Sequence, residues 1–213
     1  MSGFLMAQPI DLRVLELVAA RLCHELIGPV AAIGNGVELL AEEDPDFVRE
    51  AVALVEESAR KANRRLQFYR FAYGFSGGDL TGPPPHQLAS ALFADSGVAC
   101  EYREPVRALP RDRQKLACNM LAIGGEVLSR GGRLVIDAGT VGPELEGVGE
   151  GAGPSAQIRD ALTLATSLVE LTSRNVGAYF TGLVAAALGC RIVIDAQSGS
   201  FRLSLAAAGT TAG

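Results

Sequence analysis

His24 is the residue of this sequence best placed to do chemistry. It lies in the run Arg21-Leu22-Cys23-His24-Glu25-Leu26-Ile27-Gly28-Pro29, with a carboxylate directly after it and a proline four positions beyond that. A neutral imidazole is a competent nucleophile near pH 7, because an ordinary pKa of about 6.5 leaves one ring nitrogen unprotonated. The other histidine, His86, follows three prolines and reads as the solvated start of a helix. The four cysteines, Cys23, Cys100, Cys118 and Cys190, form no CxxC pair and have no histidine spaced to complete a zinc site. They read as small buried hydrophobes.

The element that must position His24 is a long amphipathic helix, expected from Leu12 to Glu42. Its apolar seam, Leu15, Leu22, Leu26, Ile33, Val37 and Leu40, recurs at spacings of seven, four and three. At 100° per residue the seam spans roughly 60°, with His24 about 175° from its centre, which turns the imidazole toward solvent or a partner. Leu17, Ala20, Arg21, Ile27, Gly28, Ala31 and Asn35 share that outward arc. Small and apolar residues there, in place of Lys and Glu, suggest a docking surface; the alternative is a bundle helix covering part of the arc. Pro29 inside the helix should cost about 3 kcal/mol and bend it, or else end it. The seam continuing through Ile33, Val37 and Leu40 argues against a full break.

Beyond this helix the chain divides in two. Asp44 and Pro45 suit N-cap and N1 positions of a second helix, acidic toward its start and basic toward its end, as a helix dipole favours. Two helices alone bury too little, so the hairpin, residues 1–75, is expected to pair with a second copy as a four-helix bundle. Glycines and prolines over Gly74–Pro85 mark a boundary, with residues 76–85 as linker and 86–213 as a second domain. There His86–Asp95, Arg111–Ser129, Ser155–Ser173 and Asn175–Leu188 read as helices, and Val98–Tyr102 and Arg133–Asp137 as strands. Arg191–Asp195 and Phe201–Leu205 read as a terminal hairpin. The fold class is therefore α+β: a helical hairpin followed by a two-layer α/β sandwich.

With 213 residues, 48% hydrophobic and 20% charged, the chain is long enough for a sizeable core and is not disordered. A net charge of −5 argues against nucleic acid as the main partner. No apolar run reads as long enough to cross a bilayer and the first residues lack a signal peptide's basic region, so the expected location is the cytoplasm, with no membrane partner.

Three blocks in order carry a resemblance. CHELIGPVAAIGNGVELL resembles the phosphoacceptor box of two-component histidine kinases, KLACNMLAIGGEVLSRGGRLVID the asparagine-bearing helix and strand of the kinase ATP-binding domain, and YFTGLVAAALGCRIVIDAQSGSFRLSL its last helix and hairpin. The departures matter as much. The kinase's second magnesium asparagine is replaced by Ile123, four residues after Asn119, and Ile123 offers no donor to a hard cation. The stretch matching the nucleotide boxes, AGTVGPELEGVGEGAGP, carries Glu144, Glu146 and Glu150 with no Lys or Arg; it reads as a mobile acidic loop that would repel a triphosphate.

A histidine hairpin joined to a degenerate ATPase-like domain resembles the ChpT-type histidine phosphotransferases of alphaproteobacterial phosphorelays. The resemblance implies a homodimer that shuttles a phosphoryl group between receiver-domain aspartates through His24. Glu25 would orient the imidazole or accept its second proton. The partners implied are the receivers of a hybrid histidine kinase and of response regulators. No cofactor is expected on this chain, since the receiver supplies magnesium during transfer. The alternatives are a divergent ATP-dependent histidine kinase, or a non-catalytic dimeric scaffold that binds a kinase or response regulator.

Overall fold

A computed structural model describes residues 10–42, 44–74 and 82–209. Two long antiparallel helices come first, α1 (Leu12–Leu39) and α2 (Pro45–Tyr73). Each starts on an aspartate whose side chain caps it: Asp11 accepts from the Arg13 amide and Asp44 from the Asp46 amide, both at 2.8 Å. α1 continues unbroken through Pro29, which is buried. Gly36 makes the crossing close, because a Cβ there would lie 2.6 Å from Val55 Cγ2. Most of the expected linker, residues 76–81, lies outside the described residues.

The second part runs α3 (Pro85–Phe93), β1 (Val98–Tyr102), a one-turn α4 (Glu104–Arg107), α5 (Arg111–Val127), β2 (Gly132–Ala138) and β3 (Pro143–Val148). It continues with α6 (Ala156–Leu162), a 3-10 turn at Leu168–Glu170, α7 (Val176–Ala187), β4 (Cys190–Gln197) and β5 (Ser200–Ala207). The sheet order is β1-β2-β3-β5-β4, parallel between β1 and β2 and antiparallel elsewhere. Leu134, Ile136, Leu145, Phe201 and Leu203 point inward from the strands and meet Leu116, Met120 and Ile123 of α5, which sets the core between sheet and helices.

Three readings of the sequence are corrected. The supposed acidic loop contains β3, a central strand: Glu144 and Glu146 alternate with buried Leu145 and Gly147 and both pair with Arg202 of β5. Glu150 pairs with Arg130 at 3.1 Å. The helix expected over Ser155–Ser173 is split between α6 and the 3-10 turn. As a helix, α1 also reaches the length and hydropathy that a bilayer span requires, with 28 residues and a mean hydropathy of 1.4 over its most apolar window. It lies packed along α2, with Arg21 ion-paired to α5.

The hairpin and the sheet domain share one core. Phe68, Tyr69 and Ala72 at the end of α2 belong to the same buried cluster as α5. Asn119 of α5 donates from Nδ2 to the Ala72 carbonyl at 2.8 Å, and Lys115 Nζ donates to the Gly74 carbonyl at 2.6 Å.

Candidate functional site

His24 is exposed on α1, as its position opposite the seam predicts. The packed face of α1 differs from the seam. Within the chain the buried line is Val14, Arg21, Pro29 and Gly36, turned about 80° from the seam's centre. His24 thus stands about 100° from the middle of that line, at the flank of the packed face. Of the seam, Leu22, Leu26 and Ile33 are half-buried, whereas Leu15, Val37 and Leu40 remain exposed.

Ala20, Ile27, Gly28, Ala31 and Asn35 lie on the surface beside His24, Ile27 with two-thirds of its area exposed (66%). A Cβ at Gly28 would meet nothing within 4 Å, so that flank of the histidine is open. Two residues of the expected arc turn inward. Leu17 packs half-buried against the small cluster of Val14, Leu171 and Val176. Arg21 is 6% exposed, and its guanidinium pairs with Glu126 at the end of α5 and donates to the Ser173 carbonyl at 3.4 Å. The outward arc read from helical angle alone missed both, because angle says nothing of which distant segment packs alongside.

Glu25 faces α2. Arg65 Nη1 lies 3.1 Å from its carboxylate and donates to its backbone carbonyl at 2.6 Å, clamping the residue next to His24 onto the neighbouring helix. Tyr69 and Tyr73 stack at 5.5 Å and fill the space near Arg21 and Glu25. Burial raises both phenol pKa values, so both stay neutral donors and acceptors. Burial also raises the Glu126 pKa, and the Arg21 charge opposes that shift. Sequence reasoning missed Arg65, Glu126 and the tyrosine pair. Arg65 was visible only as one member of a basic run at the end of α2.

Among the described residues no group of three or more His, Cys, Asp or Glu could hold a metal ion. Asn119 is 1% exposed, its Nδ2 donates to the Ala72 carbonyl of α2 while its Oδ1 has no hydrogen-bond partner among the described residues, and Ile123 four residues on is buried in the core.

Residues 85–200 match the family model described as the histidine phosphotransferase C-terminal domain. The chain is 37% identical over 137 residues to protein phosphotransferase ChpT of Brucella abortus (strain 2308), an alignment covering 62% of this chain and 65% of that one, so it spans just under two thirds of that relative's length. It also superposes on a solved bacterial phosphotransferase with a TM-score of 0.78 at 29% identity, covering 94% of this chain and 98% of that one. A looser likeness, TM-score 0.39 at 14% identity, is to the Acinetobacter baumannii histidine kinase AdeS, over 85% of this chain and 95% of that one. The chain belongs to the histidine phosphotransferase family.

Proposed function

We propose that this chain is a cytoplasmic phosphorelay phosphotransferase that passes a phosphoryl group between receiver-domain aspartates through His24. The observation that carries the reading is an exposed imidazole on a helix fixed from two sides, by Arg65 on Glu25 and by Glu126 on Arg21. Phosphoryl transfer asks a protein mainly for in-line positioning and charge stabilisation, and a rigid, accessible nucleophile supplies the first. The unprotonated ring nitrogen attacks phosphorus and an N–P bond forms. The P–O bond to the donor aspartate breaks, and its electron pair leaves with the carboxylate. The proton on the second nitrogen stays on the ring, whose positive charge offsets the phosphoryl group. Attack by a second receiver's aspartate reverses these bonds.

Glu25 is read as the residue that orients the histidine. Its engagement by Arg65 supports that role, because a residue clamped to α2 through both its carboxylate and its backbone carbonyl holds the adjacent turn of α1 in place. The exposed, mostly small or apolar patch of Ala20, Ile27, Gly28, Ala31 and Asn35 is read as the receiver contact, with magnesium supplied by the receiver. The partners are taken to be the receivers of a hybrid kinase and of response regulators. Transfer without ATP is supported by the burial of Asn119, 1% exposed and so closed to an incoming cation, and by Ile123 at the place of the second asparagine. A homodimer is supported by an exposed apolar face, unpartnered among the described residues, formed by Leu15, Val30 and Val37 of α1 and Leu40 just after it, with Val52 and Leu66 of α2.

The test is transfer from a phosphorylated receiver to the purified chain. The product should be an acid-labile, base-stable phosphoryl group that is absent in His24→Gln. Phosphate retained by His24→Gln, or none taken up by the unaltered chain, would refute the reading.

A further inference from the structure

Arg21 is the most heavily engaged side chain near His24, and nothing in the transfer chemistry uses it. It stands three residues before the histidine, about 4.5 Å back along the helix axis and about 60° around it. Its guanidinium leaves α1 for the sheet domain. There it meets the Glu126 carboxylate of α5, the Ser173 carbonyl just before α7, and the Tyr73 hydroxyl at the end of α2. Gly177 in the first turn of α7 makes room for it: a Cβ there would lie 3.0 Å from both Arg21 Cζ and Nε. One side chain therefore ties four segments together one helical turn from the imidazole.

Stability alone is a weak account of this arrangement. An ion pair with its guanidinium buried and its carboxylate about a third exposed recovers little more than its desolvation cost, and Nε is buried without a hydrogen-bond partner among the described residues, which adds to that cost. An apolar pair of similar volume would hold the segments together at least as well. What an apolar pair would lack is a fixed orientation between α1 and the domain beside it, which a planar guanidinium fork supplies.

We infer that Arg21 is a positioning residue: its pin to Glu126 sets the sheet domain against the histidine face of α1 and so fixes the line along which a docked receiver approaches His24. The inference rests on the phosphotransfer reading above. It requires that Arg21 act on the encounter with a receiver and not on the nucleophilicity of the imidazole.

Two phosphodonors separate these. Phosphoramidate is small and needs no docking surface: its P–N bond breaks, ammonia leaves and the N–P bond to His24 forms. A phosphorylated receiver must seat correctly. Glu126→Gln keeps the shape of its side chain and removes the charge, and Arg21→Lys keeps the charge and removes the fork. In each full-length variant, checked for unchanged circular dichroism and sedimentation, the saturating rate from the receiver should fall by about tenfold or more. The rate from phosphoramidate should change by less than about twofold. Gly177→Ala, which crowds the guanidinium without touching the ion pair, should show the same split to a smaller degree. Equal losses with both donors, or an unchanged receiver rate in folded variants, would overturn the pin. An unaltered chain that takes phosphate from neither donor would overturn the phosphotransfer reading itself, and the pin with it.

Discussion

Arg65 is the side chain that holds the histidine's neighbour, and it sets a test at the scale of one residue. Its ion pair with Glu25 is only partly covered, so it contributes under about 1 kcal/mol to stability. Arg65→Ala should leave the melting curve nearly unchanged yet slow transfer through His24 by about tenfold, because the imidazole loses its anchored neighbour. The rate of phosphohistidine formation measured beside the thermal midpoint decides between the two effects. A second test concerns thiols. Burial pushes the Cys100 thiol up to about 12, and Cys118 and Cys190 are buried, whereas Cys23 is exposed next to His24. A thiol below its pKa is almost wholly protonated and unreactive, so alkylation at pH 8 should label Cys23 first, with Cys100 gaining reactivity only toward strongly alkaline pH. Peptide mass spectrometry after timed iodoacetamide treatment reads both. The exposure of His24 was legible in the sequence from its angle opposite the apolar seam, and it holds because no distant segment among the described residues packs on that flank as one does on Arg21. The inward turn of Arg21 was not, since its partner lies 105 positions away.

At the scale of elements, legibility followed local signal. Both long helices begin where an aspartate can cap them, FRLSL alternates apolar with polar, and RLVID and RIVID are short β-branched runs with a glycine just upstream of each. β3 was hidden because its alternation is carried by Glu144, Leu145, Glu146 and Gly147, with glycines on both sides, and depends on Arg202 of another strand to neutralise its acids. No window of sequence contains that arginine together with those glutamates. The hairpin's own integrity rests on Gly36, where α1 and α2 approach so closely that an added Cβ would stand 2.6 Å from Val55 and 3.3 Å from the Ala51 carbonyl. Gly36→Val should therefore destabilise the protein by roughly 1–3 kcal/mol through overpacking, although valine is a better helix former than glycine. Urea denaturation of the variant beside the parent measures it; an unchanged midpoint would mean that the helices separate at no cost.

For the whole molecule, the question is what covers the side of the hairpin that the sheet domain leaves bare. Leu15 is 52% exposed, Val37 53% and Leu66 54%, and Val30, Leu40 and Val52 extend the same apolar face along both helices. In antiparallel helices, residues displaced in the same angular sense from the line of contact fall on one side of the pair, so these positions form a single surface and not two. It lies away from His24, which leaves the imidazole free when the surface is occupied. Such a face is larger than isolated surface leucines require, and the homodimer proposed above would close it symmetrically with a second copy of the same hairpin, as a four-helix bundle. Leu15→Asp and Val37→Asp should each shift the chain toward monomer, because a carboxylate at the centre of that contact would be buried without a partner. Each residue is more than half exposed within its own chain, so the separated monomer should keep its fold and its exposed His24. Sedimentation velocity across micromolar concentrations gives the outcome. A single species with the dimer's mass in both variants would show that this face is not where two copies meet, and a chain that is monomeric before any substitution would show that they do not meet there at all.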